Sequence, residues 1–142
     1  MIIRRSHPSS GFTLVEIMIV VAIIAMLAAI AVPSALRARK RSQATTTLQT
    51  LRVLDAACDE WAIENGGSPN TPPGAAALAA YVKKSSKLYN ELSGNTGPFD
   101  ALGGTITLPK VDVPPTIPAS TFNALSDVAP QTFWGAYYSA AS

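Results

Sequence analysis

The sequence predicts an α+β protein in which a long N-terminal helix packs on a small C-terminal head containing a short antiparallel sheet. Residues 17–32 form an unbroken apolar run, and residues 42–64 place apolar side chains three and four positions apart. After residue 65 glycine and proline become frequent, which ends the helical pattern. In a chain of 142 residues this leaves room for one modest core.

The first half of the predicted helix is long enough to cross a bilayer. Residues 12–36 would extend about 37 Å at 1.5 Å per residue, and a hydrocarbon core is about 30 Å thick. The side chains are apolar on every side of the helix, as lipid or a buried bundle requires. Residues 12–36 are therefore predicted to be a transmembrane and assembly helix.

The second half of the helix, residues 37–64, is predicted to be amphipathic. Its apolar stripe has the spacing of one helix face and consists of Ala44, Leu48, Leu51, Leu54, Cys58 and Trp61. We expect this stripe to pack against the head. The glycines at 66 and 67 then supply a left-handed cap for the end of the helix.

The head, residues 65–142, shows weaker patterns. A short helix is predicted over 75–83, and one or two helical turns over 119–128. Residues 105–108 and 110–113 alternate enough to predict two short strands on either side of Pro109. The late aromatic residues are predicted to fix the tail to the head: Phe133, Trp134, Tyr137 and Tyr138.

Charge is scarce and unevenly placed, at 14% of residues with a formal net charge of +2. Arg37, Arg39, Lys40 and Arg41 form a basic block directly after the apolar half. After residue 41 there are five basic and eight acidic residues, which gives a net charge of about −3. The head is therefore not expected to bind nucleic acids in general. The block can meet lipid head groups, which we favour, or acidic groups of neighbouring subunits, or DNA.

The inventory of reactive residues argues against catalysis. Cys58 is the single cysteine, which precludes an intrachain disulfide, and His7 is the single histidine. Neither a nucleophile–histidine set nor a glycine-rich phosphate loop is recognisable, so we expect no enzyme activity and no catalytic residues. We expect Cys58 to be a small buried side chain on the helix.

Glu16 is the feature that the apolar segment does not explain. A carboxylate near the end of a membrane span is costly unless it finds a partner or lies at the interface. An ordinary signal peptide would use Arg4 and Arg5 as its basic region and cleave after Ala31. If the segment is a plain membrane anchor, nothing in it explains Glu16. Glu16 would then be an interfacial carboxylate without a partner.

A third interpretation accounts for these residues together. A short basic leader ends in Gly11, and Phe12-Thr13-Leu14-Val15-Glu16 then opens the apolar helix. This pattern resembles the N-terminus of type IV pilin and type II secretion pseudopilin precursors. Loose similarity around 98–104 and the single cysteine place the chain closest to major pseudopilins. The resemblance implies a leader over residues 1–11, cleaved after Gly11 by a prepilin peptidase, and N-methylation of Phe12.

The resemblance also implies a role for Glu16. Cleavage frees the α-amino group of Phe12, whose ordinary pKa is near 8, and this cation can pair with Glu16 one turn away. In the family, the glutamate of an incoming subunit pairs with the N-terminal amine of its neighbour. Such a pair would fix the register between apolar helices. Pro33 would kink the helix, or would simply mark the boundary between its two halves.

The family resemblance sets the remaining expectations. The protein is expected to be a structural subunit of a pseudopilus or pilus, anchored once in the inner membrane with a periplasmic head. Expected partners are copies of itself, the prepilin peptidase, the inner-membrane assembly platform and the bilayer, without nucleic acid. The alternative is a minor or anchored subunit that binds DNA, a surface or cargo.

Calcium is the one cofactor that the resemblance raises, because major pseudopilins often bind it in a C-terminal loop. Asp100, Asp112 and Asp127 lie too far apart to form a loop motif. We therefore expect no cofactor, assign no metal ligands, and retain calcium as the alternative.

Overall fold

The computed structural model describes residues 11–94 and 96–138. The chain divides into two compact units, Met1–Leu36 and Arg37–Ser142. Most of the predicted leader, including Arg4, Arg5 and His7, lies outside the described residues.

The described part of the first unit is mainly one apolar helix segment. Helix α1 comprises Leu14–Asn65, 52 residues, and it is the one described helix long and apolar enough to cross a membrane. All its residues from 14 to 36 are solvent-exposed in the single chain. Pro33 lies inside α1, and the helix continues through it. The prediction of one long helix is confirmed, whereas the predicted kink at Pro33 stays a prediction.

The second half of α1 forms one wall of the head. Its buried residues are Ala44, Thr47, Leu48, Leu51, Leu54, Ala57 and Cys58. The predicted stripe is therefore confirmed, with Trp61 partly buried at its end. Thr47 is the exception to the apolar pattern, and its hydroxyl accepts a hydrogen bond from the backbone N–H of Ala101 at 3.2 Å.

In the part of the head that the structure describes, four short helices and one 3₁₀ turn follow α1. They are α2 (Ala75–Ala79), α3 (Lys87–Ser93), α4 (Ala119–Leu125), α5 (Gln131–Trp134) and a 3₁₀ turn (Gly135–Tyr137). Helix α2 is shorter than the prediction over 75–83. Helix α3 was not predicted, although its N-cap is present in the sequence: the Ser86 hydroxyl accepts from the Tyr89 N–H at 3.1 Å.

The predicted sheet is not confirmed, because the described part of the chain contains isolated antiparallel bridges and no strand. The bridges pair Phe99 with Thr105, Thr107 with Thr116, and Lys110 with Val113. Proline has no N–H to donate to a ladder, and prolines at 109, 114, 115 and 118 interrupt the pairing. In addition, Lys110 and Val113 exchange both backbone bonds across a tight turn in which Asp112 has φ 64°.

The aromatic tail packs on the head as predicted. Trp134 is buried, and its indole N–H donates to the Ala129 carbonyl at 3.1 Å. The Tyr137 hydroxyl donates to the Asp55 carboxylate on α1 at 3.1 Å. The rings of Phe122 and Tyr138 lie 4.2 Å apart. These contacts fix the last described residues against both α1 and α4.

The stability of the head is expected to depend on the buried face of α1 and not on its outer face. Leu51→Ala removes a side chain that is 0% exposed and should lower the free energy of unfolding by about 2–5 kcal/mol. Ile63→Ala, on the same helix but 83% exposed, should change it by less than about 0.5 kcal/mol. Denaturation of the full chain in detergent, followed by tryptophan fluorescence, measures both. Equal effects would contradict this packing.

Candidate functional site

The start of α1 is built around a reciprocal pair formed by Thr13 and Glu16. The Thr13 backbone N–H and the Thr13 hydroxyl both donate to Glu16 Oε2, each at 2.8 Å. The Glu16 backbone N–H in turn donates to Thr13 Oγ1 at 3.3 Å. This is a capping box, in which the residue before the helix and the third helical residue satisfy each other's backbone donors.

The capping box explains how a carboxylate is tolerated at this end of an apolar helix. The first N–H groups of a helix have no partner inside the helix, and a negative charge near them is favourable. Glu16 therefore has an intramolecular partner in the single chain. Sequence analysis identified Glu16 but missed Thr13, although the T-x-x-E spacing of residues 13–16 is the usual signature of this cap.

The predicted cleavage position lies directly before this cap. Gly11, Phe12 and Thr13 precede the helix, and Phe12 is 85% exposed. Among the described residues, a side chain at Gly11 would meet nothing within 4 Å, and Gly11 and Phe12 are both exposed. Gly11 and Phe12 precede α1 and Glu16 lies in its first turn, whereas Pro33 lies several turns further along α1.

The structure places Lys40 and the three arginines of the basic block in different surroundings. Lys40 Nζ binds the Asp127 carboxylate at 2.9 Å, and this contact joins the start of the second unit's helix to the segment after α4. The hydrogen bond and the charge of Lys40 lower the pKa of Asp127. Arg37, Arg39 and Arg41 remain exposed. Lys40 therefore contributes to the fold, and three arginines are left to face other partners.

Asp100 is a structural carboxylate in the described fold. It is 2% exposed, and its Oδ1 accepts from the N–H groups of Leu102 at 2.8 Å and Gly104 at 2.9 Å. Its Oδ2 accepts from the Thr121 hydroxyl of α4. Three donors thus hold one buried carboxylate, and they join the turn over 100–104 to α4.

The three aspartates considered for calcium have separate surroundings. Asp100 is occupied by the donors of its own turn, Asp112 lies in the turn before Val113, and Asp127 binds Lys40. Among residues 11–94 and 96–138, no group of three His, Cys, Asp or Glu side chains is placed to hold a metal ion. The structure does not bring these aspartates together.

Cys58 and Asp55 lie on the inner side of α1. Burial raises the pKa of the Cys58 thiol, and the neighbouring carboxylate of Asp59 adds to this effect. Burial also raises the pKa of Asp55, although the hydrogen bond from Tyr137 opposes it. A buried thiol with a raised pKa is unreactive, so Cys58 acts as a packing residue.

Comparisons with known proteins agree with this geometry. The family described as "Prokaryotic N-terminal methylation motif" matches residues 7–32, which contain the capping box and most of the apolar half. Type II secretion system core protein G of Pseudomonas aeruginosa is 38% identical over 80 residues, 56% of this chain and 54% of that protein. The corresponding Vibrio cholerae protein is 31% identical over 75 residues, 53% of this chain and 51% of that protein.

A pilus subunit gives the broader match. The type IV wide pilus major component PilA4 of Thermus thermophilus is 33% identical over 101 residues, which cover 63% of this chain and 76% of that protein. No solved structure matches. The chain spans about half the length of the core protein G relatives. The chain belongs to the family of type IV pilins and type II secretion pseudopilins.

The Asp100 turn yields a prediction about the head. Asp100→Ala leaves three donors without an acceptor and should lower the free energy of unfolding by about 2–5 kcal/mol. Asp100→Asn keeps one carbonyl oxygen for the two N–H groups and should cost less.

Gly104→Ala is the matched steric test of the same turn. Its Cβ would lie 2.6 Å from Asp100 Oδ2 and 2.7 Å from Thr121 Oγ1, so it should destabilise the head through the same contact. Gly103→Ala would instead meet an open surface at φ 87° and test backbone strain alone. Denaturation of the full chain in detergent measures all four variants. An Asp100→Ala protein as stable as the unsubstituted chain would contradict this account of the turn.

Proposed function

We propose that this protein is a structural, non-catalytic subunit of a helical filament, a type II secretion pseudopilus or a type IV pilus, assembled through α1. The capped carboxylate at the start of an apolar helix carries the proposal. The family match over residues 7–32 and the pilin and pseudopilin relatives support it. Those relatives are named as a core protein and a major component, which favours a main subunit over a minor or anchored binding subunit.

Processing would convert the capped helix start into a pairing site. A prepilin peptidase would cut the exposed bond after Gly11, and Phe12 would become the N-terminal, methylated residue. The freed amine carries a positive charge at neutral pH. Glu16 Oε2 receives both bonds from Thr13, whereas among the described residues Oε1 receives none. Glu16 can thus stay capped and still accept a second donor.

Assembly would then depend on charge pairing in a low-dielectric bundle. An isolated charge among apolar helices is costly, and a paired one is much less so. A neighbour's Phe12 amine is a suitable partner for Glu16, since it is a cation at the same end of an identical helix. The pair would select one axial register among helices whose exposed surfaces are otherwise uniformly apolar.

The membrane arrangement follows from the same helix. Residues 12–36 would span the inner membrane before assembly, with the head on the periplasmic side. The exposed arginines at 37, 39 and 41 would meet phosphate groups at that surface. The prepilin peptidase and an inner-membrane assembly platform would be the protein partners before the filament forms.

Substitution of Glu16 separates its charge from its cap. Glu16→Ala removes both, whereas Glu16→Gln keeps an acceptor for Thr13 and removes the charge. Both variants should still be cleaved. Because breaking a buried pair costs about 3–5 kcal/mol, both should form filaments about a hundredfold less well or worse. Filaments sheared from cells and quantified by immunoblot give the measurement. Normal filaments from Glu16→Gln would show that the charge is not needed.

The mature N-terminus gives a second test. The chain recovered from membranes should begin at Phe12 and carry one extra methyl group, which intact-mass measurement and N-terminal sequencing detect. Gly11→Leu should block cleavage and leave the leader attached, whereas Gly74→Leu, at an exposed glycine whose added side chain also meets nothing within 4 Å, should not. A mature chain that begins at Val32 would instead identify an ordinary exported protein and would remove Glu16 from the final product.

A further inference from the structure

An apolar groove of about 370 Å³ lies on the head between α1, α3 and the turn before Asp100. Thr50 and Val53 of α1 form one wall, and Leu88 and Phe99 contribute apolar surface opposite. Val53 is 45% exposed. The groove lies entirely within the second unit.

Lysines provide the positive charge of the groove. Lys83 and Lys87 lie on its rim, and both are exposed. Lys87 is paired with Glu91 at 3.2 Å, and Glu91 also accepts from the Phe99 N–H. Within residues 11–94 and 96–138, Lys83 takes part in no ion pair. Asp100 also lines the groove, and its buried carboxylate is held by the hydrogen-bond donors of its own turn. The groove therefore combines apolar surface with one ammonium group, that of Lys83, that pairs with no carboxylate of the described residues.

A complementary surface lies near the end of α1. We define the Ile63 ridge as Ala56, Glu60, Ile63 and Glu64. The first three of these residues follow an i, i+4, i+7 spacing along one line of the helix. Ile63 is 83% exposed, the largest fraction among the large apolar side chains described in the second unit. Glu60 and Glu64 are exposed neighbours of Ile63 on the helix, and Glu64 also accepts a hydrogen bond from the Tyr81 hydroxyl at 2.6 Å. The ridge is thus an apolar side chain flanked by two carboxylates, of which that of Glu60 has no hydrogen-bond partner among the described residues.

We propose that the Ile63 ridge of one copy docks in the groove of the next copy. The apolar tip fits the apolar floor, and the carboxylate of Glu60 faces the ammonium group of Lys83. Because groove and ridge are different surfaces of one chain, the contact is heterologous, and a heterologous contact gives an open filament when the rotation between copies does not close a ring. This inference rests on the proposed filament function and adds a second contact, between heads, to the contact between apolar helices.

Cysteine crosslinking of the full-length chain in its membranes and filaments tests the contact. Val53→Cys and Ile63→Cys in the same chain should give a ladder of disulfide-linked oligomers under mild oxidation. Either substitution alone should give no ladder, since native Cys58 is buried and each chain then carries one exposed thiol. Coexpressed single variants should give dimers. Ile63→Cys combined with exposed Val113→Cys, outside the groove, is the matched control.

Each outcome decides the question. A ladder from the double variant alone supports the contact. Dimers from Ile63→Cys by itself indicate a symmetric contact and overturn it. Filaments without the ladder overturn the inference and leave the filament function standing. A ladder without filaments supports the contact but contradicts the filament function, and the absence of both from an expressed chain contradicts the two proposals together.

Charge reversal gives an independent measurement that preserves the fold, since the substituted side chains are exposed. Lys83→Glu or Glu60→Lys should each reduce the ladder about fivefold, and the two together should restore it. Lys110→Glu, an exposed change outside the groove, should have no effect. Equal ladders from all these variants, or no recovery in the double reversal, would overturn the pairing of Glu60 with Lys83.

Discussion

Burial of one face of α1 is the contact on which the head depends. The other helices of the head are four to seven residues long, and helices that short are not stable by themselves in water. They persist because Leu51, Leu54 and their neighbours on α1 provide the apolar surface on which the head packs. The same long helix therefore serves as membrane segment in its first half and as core element in its second.

Polar contacts then fix the irregular segments of the head on this apolar base. Asp100 holds the turn over 100–104, Tyr137 reaches Asp55 on α1, and Lys40 binds Asp127. The buried contacts contribute most, because a buried donor without an acceptor is costly. The exposed pair of Lys40 and Asp127 contributes less, but it ties the segment after α4 to the helix. Among the described residues of the head, isolated bridges and side-chain hydrogen bonds take the place of a regular sheet.

Two kinds of surface are covered by none of the described residues of the single chain. The apolar half of α1 is exposed along its whole length, and lipid or a bundle of identical helices must cover it. The head exposes the groove and the Ile63 ridge, which are smaller and charged at their edges. A subunit that leaves the membrane for a filament exchanges lipid contacts for helix contacts. Directional contacts between heads would then determine how neighbouring copies are oriented.

Local pattern determined the features that one short segment can encode. The apolar run, the stripe of α1 and the T-x-x-E cap depend on residues three or four positions apart, and all are present in the structure. Local features also explain why residues 105–113 form isolated bridges, since prolines and the turn at Asp112 interrupt the alternation there. Only the tertiary structure decided the long-range polar contacts. The contacts of Asp100 with Thr121, and of Lys40 with Asp127, join residues distant in sequence. Their formation depends on the packed core, which no single segment specifies.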